Sequence, residues 1–156
     1  MLTLESFKLL NPKVAQFERS TGGTPDITFQ EVSDVLSRCS RQCSVYARYQ
    51  YALDDTSEPR LVEQITNVMF TEDQKRKRPI LPKRSHWRRL TEMVVRTRRS
   101  NIWLTRRQRA VAADFRRWTR RTEEAYKNVG TMLDEWDYEV RTELGQWNRY
   151  QVEDSR

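Results

Sequence analysis

Side chains that could carry out catalysis are few in this sequence of 156 residues. His86 is the only histidine, so a metal site or proton relay built from two histidines is excluded. Its position beside Trp87, near the start of a predicted helix, favours a capping or packing role. The sequence also lacks the glycine motifs that bind phosphates or dinucleotides and the G-x-S-x-G nucleophile motif. These features predict a protein that is not an enzyme and binds no cofactor or metal.

The two cysteines, Cys39 and Cys43, lie four residues apart on a predicted helix and therefore share one face. Two thiolates cannot complete a four-cysteine zinc site, and there is no second pair of cysteines to tie two helices together. We expect both thiols to be reduced and buried, as small apolar side chains are. Reduced thiols are typical of an intracellular, reducing compartment. The mitochondrion and the nucleus both fit, and the sequence does not choose between them.

Two pairs of acidic residues near the C-terminus have the spacing of a single helix face. They are Asp134 with Asp137, and Glu139 with Glu143. Such pairs can bind a divalent cation weakly through their carboxylate oxygens. A solvated helix face is the more common role, and it is the one that we expect here.

Charge is distributed very unevenly along the chain, whose net charge is +7. Residues 75–121 contain 18 Lys or Arg and two acidic residues, a net charge of +16. Residues 1–74 carry a net charge of −4, and residues 122–156 a net charge of −5. So basic a middle third predicts an anionic partner. Two alternatives stay open: the acidic flanks neutralise the segment within the chain, or the segment is simply a solvated basic surface.

Most of these basic residues are arginines, whose planar guanidinium forms paired hydrogen bonds with phosphate or carboxylate. The run from Lys75 to Pro79 also resembles a simple nuclear localisation signal. The residues predicted to bind the partner are Lys75, Arg76, Lys77, Arg78, Lys83, Arg84, Arg88, Arg89, Arg98, Arg99, Arg106, Arg107, Arg116, Arg117, Arg120 and Arg121.

Aromatic residues are interleaved with these arginines: Trp87, Trp103, Phe115 and Trp118. Arginines mixed with aromatic rings suit single-stranded or structured RNA, because unpaired bases stack on the rings. Trp87, Phe115 and Trp118 also lie on apolar helix faces, where we expect them to belong to the core. Trp103 falls at a predicted helix break and has no such assignment.

The elements that position these residues are predicted to be helices. Apolar residues recur every three or four positions from Phe29 to Leu53, which predicts a first helix that begins at Thr28. Thr28 and Glu31 have the spacing of a capping box. A second helix follows, with Pro59 in its first turn.

Residues 71–84 are predicted to form a loop, because Pro79 and Pro82 preclude a regular helix. Ser85 is expected to cap a helix that ends near Arg99, with a break at Ser100 and Asn101.

The last predicted helix is the longest: if it is continuous, it runs from Arg106 to Tyr150. Thr105 and Gln108 have the spacing of a capping box at its start, and an apolar stripe follows from Val111 to Trp136. Arg106 and Arg107 would oppose the partial positive charge of the helix N-terminus, which again favours an external anion. Residues predicted to pack between helices are Phe29, Val32, Leu36, Tyr46, Phe115, Trp118 and Trp136.

These patterns predict an all-α protein, an elongated helical hairpin or bundle with coiled-coil-like apolar stripes. One domain would comprise a helical segment 1–70, the loop 71–84 and a long helical segment 85–156. No run of about 18 apolar residues predicts a transmembrane helix, and the first residues do not resemble a secretory or transit peptide.

The predicted function is that of a non-catalytic accessory subunit in a larger assembly with other protein subunits. Segment 75–121 would dock on an anionic surface: RNA, an acidic subunit or the face of an anionic membrane. The alternative is a free-standing nucleic-acid-binding protein.

Overall fold

The structure is a computed structural model that describes residues 1–13 and 25–154, with the backbone alone for residues 25–28. The described residues are all-α, as predicted. A 3₁₀ helix spans Leu4–Leu10, and a 3₁₀ turn spans Asp55–Ser57. The α-helices are α1 (Pro25–Ser37), α2 (Arg41–Gln50), α3 (Glu58–Gln74), α4 (Arg84–Ser100), α5 (Arg106–Ala112) and α6 (Arg120–Asp154). In this described part of the chain, no helix has the length and apolar character to cross a membrane.

The chain divides into two compact units. The first unit comprises Met1–Leu61 and Asp134–Arg156, and the second unit comprises Val62–Leu133. Helices α3 and α6 each contribute to both units. The two units also differ in charge. The sequence of the first unit has ten basic and 15 acidic residues, a net charge of −5. The second unit has 19 basic and seven acidic residues, a net charge of +12.

The core of the first unit combines the N-terminal 3₁₀ helix, α1, α2 and the C-terminal part of α6. Phe7, Val35 and Tyr46 are almost completely buried, and Val140 of α6 is fully buried. Asn148 of α6 holds the N-terminus in place, because its side chain exchanges two hydrogen bonds with the backbone of Leu2, of 3.0 and 2.9 Å.

The predicted single helix from Thr28 to Leu53 is wrong, because two helices replace it. Helix α1 begins at Pro25 and ends at Ser37, and α2 begins at Arg41. The Ser40 side chain accepts a hydrogen bond from the Cys43 backbone N–H (3.3 Å) and so caps α2. Glu139 of α6 accepts two further hydrogen bonds from Ser40, so a contact distant in sequence stabilises the break. The predicted Thr28 capping side chain lies outside the described residues.

The predicted loop 71–84 is shorter than expected, because α3 continues to Gln74. The next helix, α4, begins at Arg84, so the predicted capping residue Ser85 lies inside the first turn and is not the cap. The predicted end of this helix is confirmed. Asn101 adopts a left-handed backbone conformation (φ 53°) after Ser100, and the Ile102 N–H bonds to the Thr97 carbonyl (3.1 Å).

The predicted long C-terminal helix is confirmed as α6, but it does not extend back to Arg106. Thr105 and Gln108 do form the predicted capping box, but α5 ends at Ala112 and α6 begins only at Arg120. Asp114 adopts a left-handed conformation (φ 55°), and the Phe115 N–H bonds to the Ala110 carbonyl at 2.9 Å. This Schellman arrangement satisfies carbonyls at the end of α5 and turns the chain away. A long C-terminal helix is present, but it is α6.

The residues predicted to pack between helices differ in burial. Val32, Leu36, Tyr46 and Trp118 are buried, whereas Phe29, Phe115 and Trp136 are half-buried. Leu53, at the far end of the first apolar stripe, is 44% exposed, and Val111, at the start of the second stripe, is 75% exposed. Leu53 follows the end of α2 at Gln50, and Val111 lies in the last turn of α5, whose end at Ala112 the periodicity did not predict.

Candidate anionic-surface docking site

A buried carboxylate holds the basic loop of the second unit in place. Asp73, near the end of α3, is only 3% exposed. It accepts hydrogen bonds from the backbone N–H groups of Ile80 (2.7 Å) and Leu81 (2.9 Å) and from the indole N–H of Trp87 (3.0 Å). Three donors satisfy the buried charge, which would otherwise be costly to desolvate. The loop 75–83, which carries Lys75 to Arg78, is therefore anchored at its far end.

A second, partly buried cluster fixes α5 to the start of α6. Arg109 donates two hydrogen bonds to the Glu123 carboxylate (2.8 and 2.7 Å) and one to the Leu104 carbonyl (3.1 Å). The Trp118 indole N–H donates to the same carboxylate. Burial acts to raise the pKa of Glu123, but the hydrogen bonds from Trp118 and Arg109 hold it below its usual value. Arg109 thus stabilises the fold of the second unit.

Several of the predicted partner-binding residues are paired within the second unit. Arg84 contacts Glu63 and Asn67 (2.7 Å to Asn67), and Arg89 contacts Asp114 at 3.1 Å. Further contacts join Lys75 to Glu72, Arg76 to Glu124 and Arg88 to Glu92, and Arg121 donates to the Pro79 carbonyl. Glu63 and Glu124 belong to the acidic flanks, so the alternative of neutralisation within the chain applies to part of the segment.

The remaining basic residues are different. Arg98 and Arg99 are half-buried on the last turn of α4. Eight others are exposed, and none has a carboxylate within ion-pair distance in the part of the chain that the structure describes. This unpaired basic set is Lys77, Arg78, Lys83, Arg106, Arg107, Arg116, Arg117 and Arg120.

The interleaved aromatic residues mostly point inward. Trp87 and Trp118 are 1% and 6% exposed, with both indole N–H groups hydrogen-bonded. Phe115 is half-buried and packs edge-on against His86, with 5.5 Å between the ring centroids, so His86 has a packing contact. Trp103 is 93% exposed. The only sequence signal for this exposure was its position between two helices, off any apolar stripe.

Acidic residues that the sequence placed on a solvated helix face are structural in the first unit. Asp137 accepts hydrogen bonds from the hydroxyls of Tyr46 (2.7 Å) and Tyr51 and from Arg141 (2.7 Å). Burial opposes ionisation, but these three donors hold the pKa of Asp137 below its usual value. The expectation of a solvated face is therefore wrong for Asp137, as it is for Glu139, which binds Ser40.

The two thiols also lie in the first unit. Cys39 is half-buried in the turn between α1 and α2, whereas Cys43 is buried on α2, so they do not share one helix as expected. The Cys43 thiol donates to the Trp136 carbonyl (3.3 Å), and its hydrogen bond with Cys39 together with burial raises its pKa. A protonated Cys43 is a poor nucleophile. Within residues 1–13 and 25–154 there is no group of three or more acidic, Cys or His residues that could hold a metal ion.

Ion-paired side chains line an open cleft of the second unit. One open cleft of about 290 Å³ lies between α4 and the end of α5 and is lined by Arg89, Glu92 and Met93 among others. Two of its ion pairs join Arg89 to Asp114 and Glu92 to Arg88. What the second unit offers chemically is electrostatic attraction and hydrogen-bond donation to an anion. Comparisons with protein families, curated proteins and solved structures found no match to this chain.

Proposed function

We propose that this protein is a non-catalytic helical subunit of a larger assembly, and that its second unit docks on an anionic surface. The observation that carries the proposal is the unpaired basic set: eight exposed cations in one compact unit with no described carboxylate partner. Cations held close together on one small unit repel each other. An anionic surface relieves this repulsion and releases counterions.

The arginines that pair internally support the proposal by contrast. Arg84, Arg89 and Arg109 pair with acidic residues within the second unit. Arg106, which begins α5, and Arg120, which begins α6, stand where a helix favours acidic residues. Residues that oppose the local electrostatics of a helix and yet have no partner are best explained by a contact outside the chain.

Charge reversal tests the proposal. In Arg116→Glu, Arg117→Glu, Arg120→Glu, three members of the unpaired basic set change sign, while Arg121 stays because it donates to Pro79. Binding to heparin, a generic polyanion, is measured as the salt concentration that elutes the protein. We expect the triple variant to elute at much lower salt than the wild type, with unchanged helicity by circular dichroism.

A matched control reverses three exposed arginines of the first unit: Arg41→Glu, Arg60→Glu, Arg149→Glu. The net charge falls by the same amount in both variants, so only the location differs. The control should elute close to the wild type. Equal decreases in the eluting salt concentration of the two variants would mean that binding follows net charge alone. That result would contradict the proposed docking site.

The class of natural partner requires the native complex. Gentle purification followed by nuclease treatment separates an RNA partner, which nuclease releases, from a protein or membrane partner, which it does not. A free-standing nucleic-acid-binding protein is the second candidate. It would bind naked RNA or DNA with an affinity that falls steeply with salt. The inward-facing Trp87 and Trp118 weaken that candidate, because buried rings cannot stack on bases.

A further inference from the structure

An exposed apolar tip lies between α4 and α5 in the second unit. Trp103 is 93% exposed and its neighbour Ile102 is 55% exposed. The other tryptophans of this unit, Trp87 and Trp118, are in the core. Two adjacent large apolar side chains in water forgo the stabilisation that burial would give, so their exposure favours a role outside the chain.

The tip is held on both sides by hydrogen bonds. On the α4 side, the Ile102 N–H bonds to the Thr97 carbonyl at 3.1 Å. On the α5 side, the Arg109 guanidinium donates to the Leu104 carbonyl at 3.1 Å, and Thr105 caps α5. Because the backbone on either side is fixed, little conformational entropy remains to be lost when Ile102 and Trp103 bind something.

Unpaired arginines follow the tip directly. Arg106 and Arg107 are exposed, and neither has a carboxylate partner among the described residues. The partner must therefore be anionic. The partner must also accept the aliphatic side chain of Ile102 beside the indole of Trp103. This second requirement excludes some classes of anionic partner. A nucleic acid offers base faces on which Trp103 could stack, but it offers no apolar volume for Ile102. An anionic bilayer offers phosphates at its surface and apolar volume immediately below, and tryptophan favours that boundary.

We propose that Ile102 and Trp103 insert into the interfacial region of an anionic phospholipid leaflet, while Arg106 and Arg107 bind lipid phosphates. The proposal rests on the proposed function, since it names the anionic surface on which the second unit docks. Contact is peripheral: the tip enters the boundary between headgroups and acyl chains, and the helices remain outside.

The test uses vesicles of phosphatidylcholine, with or without phosphatidylserine, and the intact protein. Trp103 is the most exposed of the five tryptophans, so aqueous iodide should quench it preferentially. Anionic vesicles should protect it from iodide, and acyl-chain-brominated lipids should quench it. Neutral vesicles should do neither.

Variants separate the insertion of the tip from the attraction of the arginines. The double variant Ile102→Ser, Trp103→Ser should lower the partition constant by at least about tenfold, since it removes the inserted apolar area. Val68→Ser changes a 44% exposed valine of α3 and is the matched control, with no expected effect. Arg106→Gln, Arg107→Gln should cost about fivefold for each charge removed.

The outcomes distinguish this inference from the proposed function. Unchanged vesicle binding by the double serine variant would overturn insertion, whether or not the arginines still matter. Binding to single-stranded RNA with quenching of Trp103, and no binding to anionic vesicles, would overturn the membrane partner but leave docking on a polyanion intact. Failure of the Arg116, Arg117, Arg120 reversal to weaken heparin binding would instead remove the proposed function itself.

Discussion

The two units of this protein use charged residues in opposite ways. In the first unit, whose net charge is −5, key carboxylates are bound by the chain itself: Asp137 by Tyr46, Tyr51 and Arg141, and Glu139 by Ser40. In the second unit, whose net charge is +12, eight cations stand exposed without described partners. Charged residues in the first unit therefore contribute to its fold, whereas eight of the 19 basic residues in the second unit are exposed without a described carboxylate partner.

The contrast shows why total charge is a poor guide to a binding surface. The second unit also contains carboxylates with structural roles: Asp73 accepts hydrogen bonds from backbone and indole N–H groups, and Glu123 pairs with Arg109. Arg109 pairs with Glu123, while its neighbour Arg107 does not. Four sets of substitutions test this difference between the two units.

The largest effect is expected at Asp73. Asp73→Ala leaves three buried N–H donors without an acceptor and releases the basic loop of the second unit. We expect the free energy of unfolding to fall by about 3–5 kcal/mol. Urea denaturation followed by tryptophan fluorescence measures it, since Trp87 is one of the three donors. The adjacent Glu72→Ala, which removes only a surface contact with Lys75, should change stability by less than about 0.5 kcal/mol. Similar effects in both variants would contradict the anchoring role.

The next test concerns the acid stability of the first unit. The pKa of Asp137 lies below its usual value of 3.8 in the folded protein. A lowered pKa gives stability that is present above the usual value and is lost as pH falls through the folded-state pKa. Asp137→Asn should lose about 2 kcal/mol at neutral pH, and its stability should depend less on acid than that of the wild type. Urea denaturation at about pH 7 and about pH 3 measures both.

The control for this test is Glu153→Gln, also on α6 but exposed. It should retain both the stability and the acid dependence of the wild type. If Asp137→Asn keeps the full acid dependence, the carboxylate is not the group that responds to pH in the first unit.

The distinction between structural and free arginines predicts two opposite results for close neighbours. Arg109→Met should destabilise the protein by about 2 kcal/mol, because the Glu123 pair and the bond to Leu104 are lost. Arg107→Met should change stability by less than about 0.5 kcal/mol and should weaken heparin binding. Denaturation and heparin elution are measured on both variants. A free-energy loss at Arg107 equal to that at Arg109 would show that the unpaired basic set is also structural.

The smallest effects are expected at the two glycines of α6, one in each unit. Apart from the adjacent residues and the backbone of the same helix, no heavy atom would lie within 4 Å of an added methyl group at Gly130 or at Gly145. Alanine should therefore stabilise the helix by about 0.5–1 kcal/mol at each position. Thermal denaturation of the single and double variants checks this, and the two gains should add. Destabilisation by either alanine would indicate that α6 bends or contacts another surface at that glycine.

Local sequence determined the helical nature of the protein and several helix ends. The three-to-four periodicity, the capping box of Thr105 and Gln108 and the end of α4 at Ser100 all depend on residues within one or two turns of each other. The same holds for the concentration of basic residues in 75–121. Such features can be read from sequence because the interactions behind them are local.

Tertiary structure decided where the long apolar stripes break and which charges remain free. The break at Ser40 involves Glu139, 99 residues away, and the break after α5 depends on Asp114 adopting a left-handed backbone. Whether an arginine is paired depends on carboxylates that are distant in the sequence: Arg84 pairs with Glu63, which lies 21 residues earlier. Sequence alone determined that the protein is helical and basic in its middle third. Only the fold separated the structural arginines from the free ones, because pairing depends on distance in space.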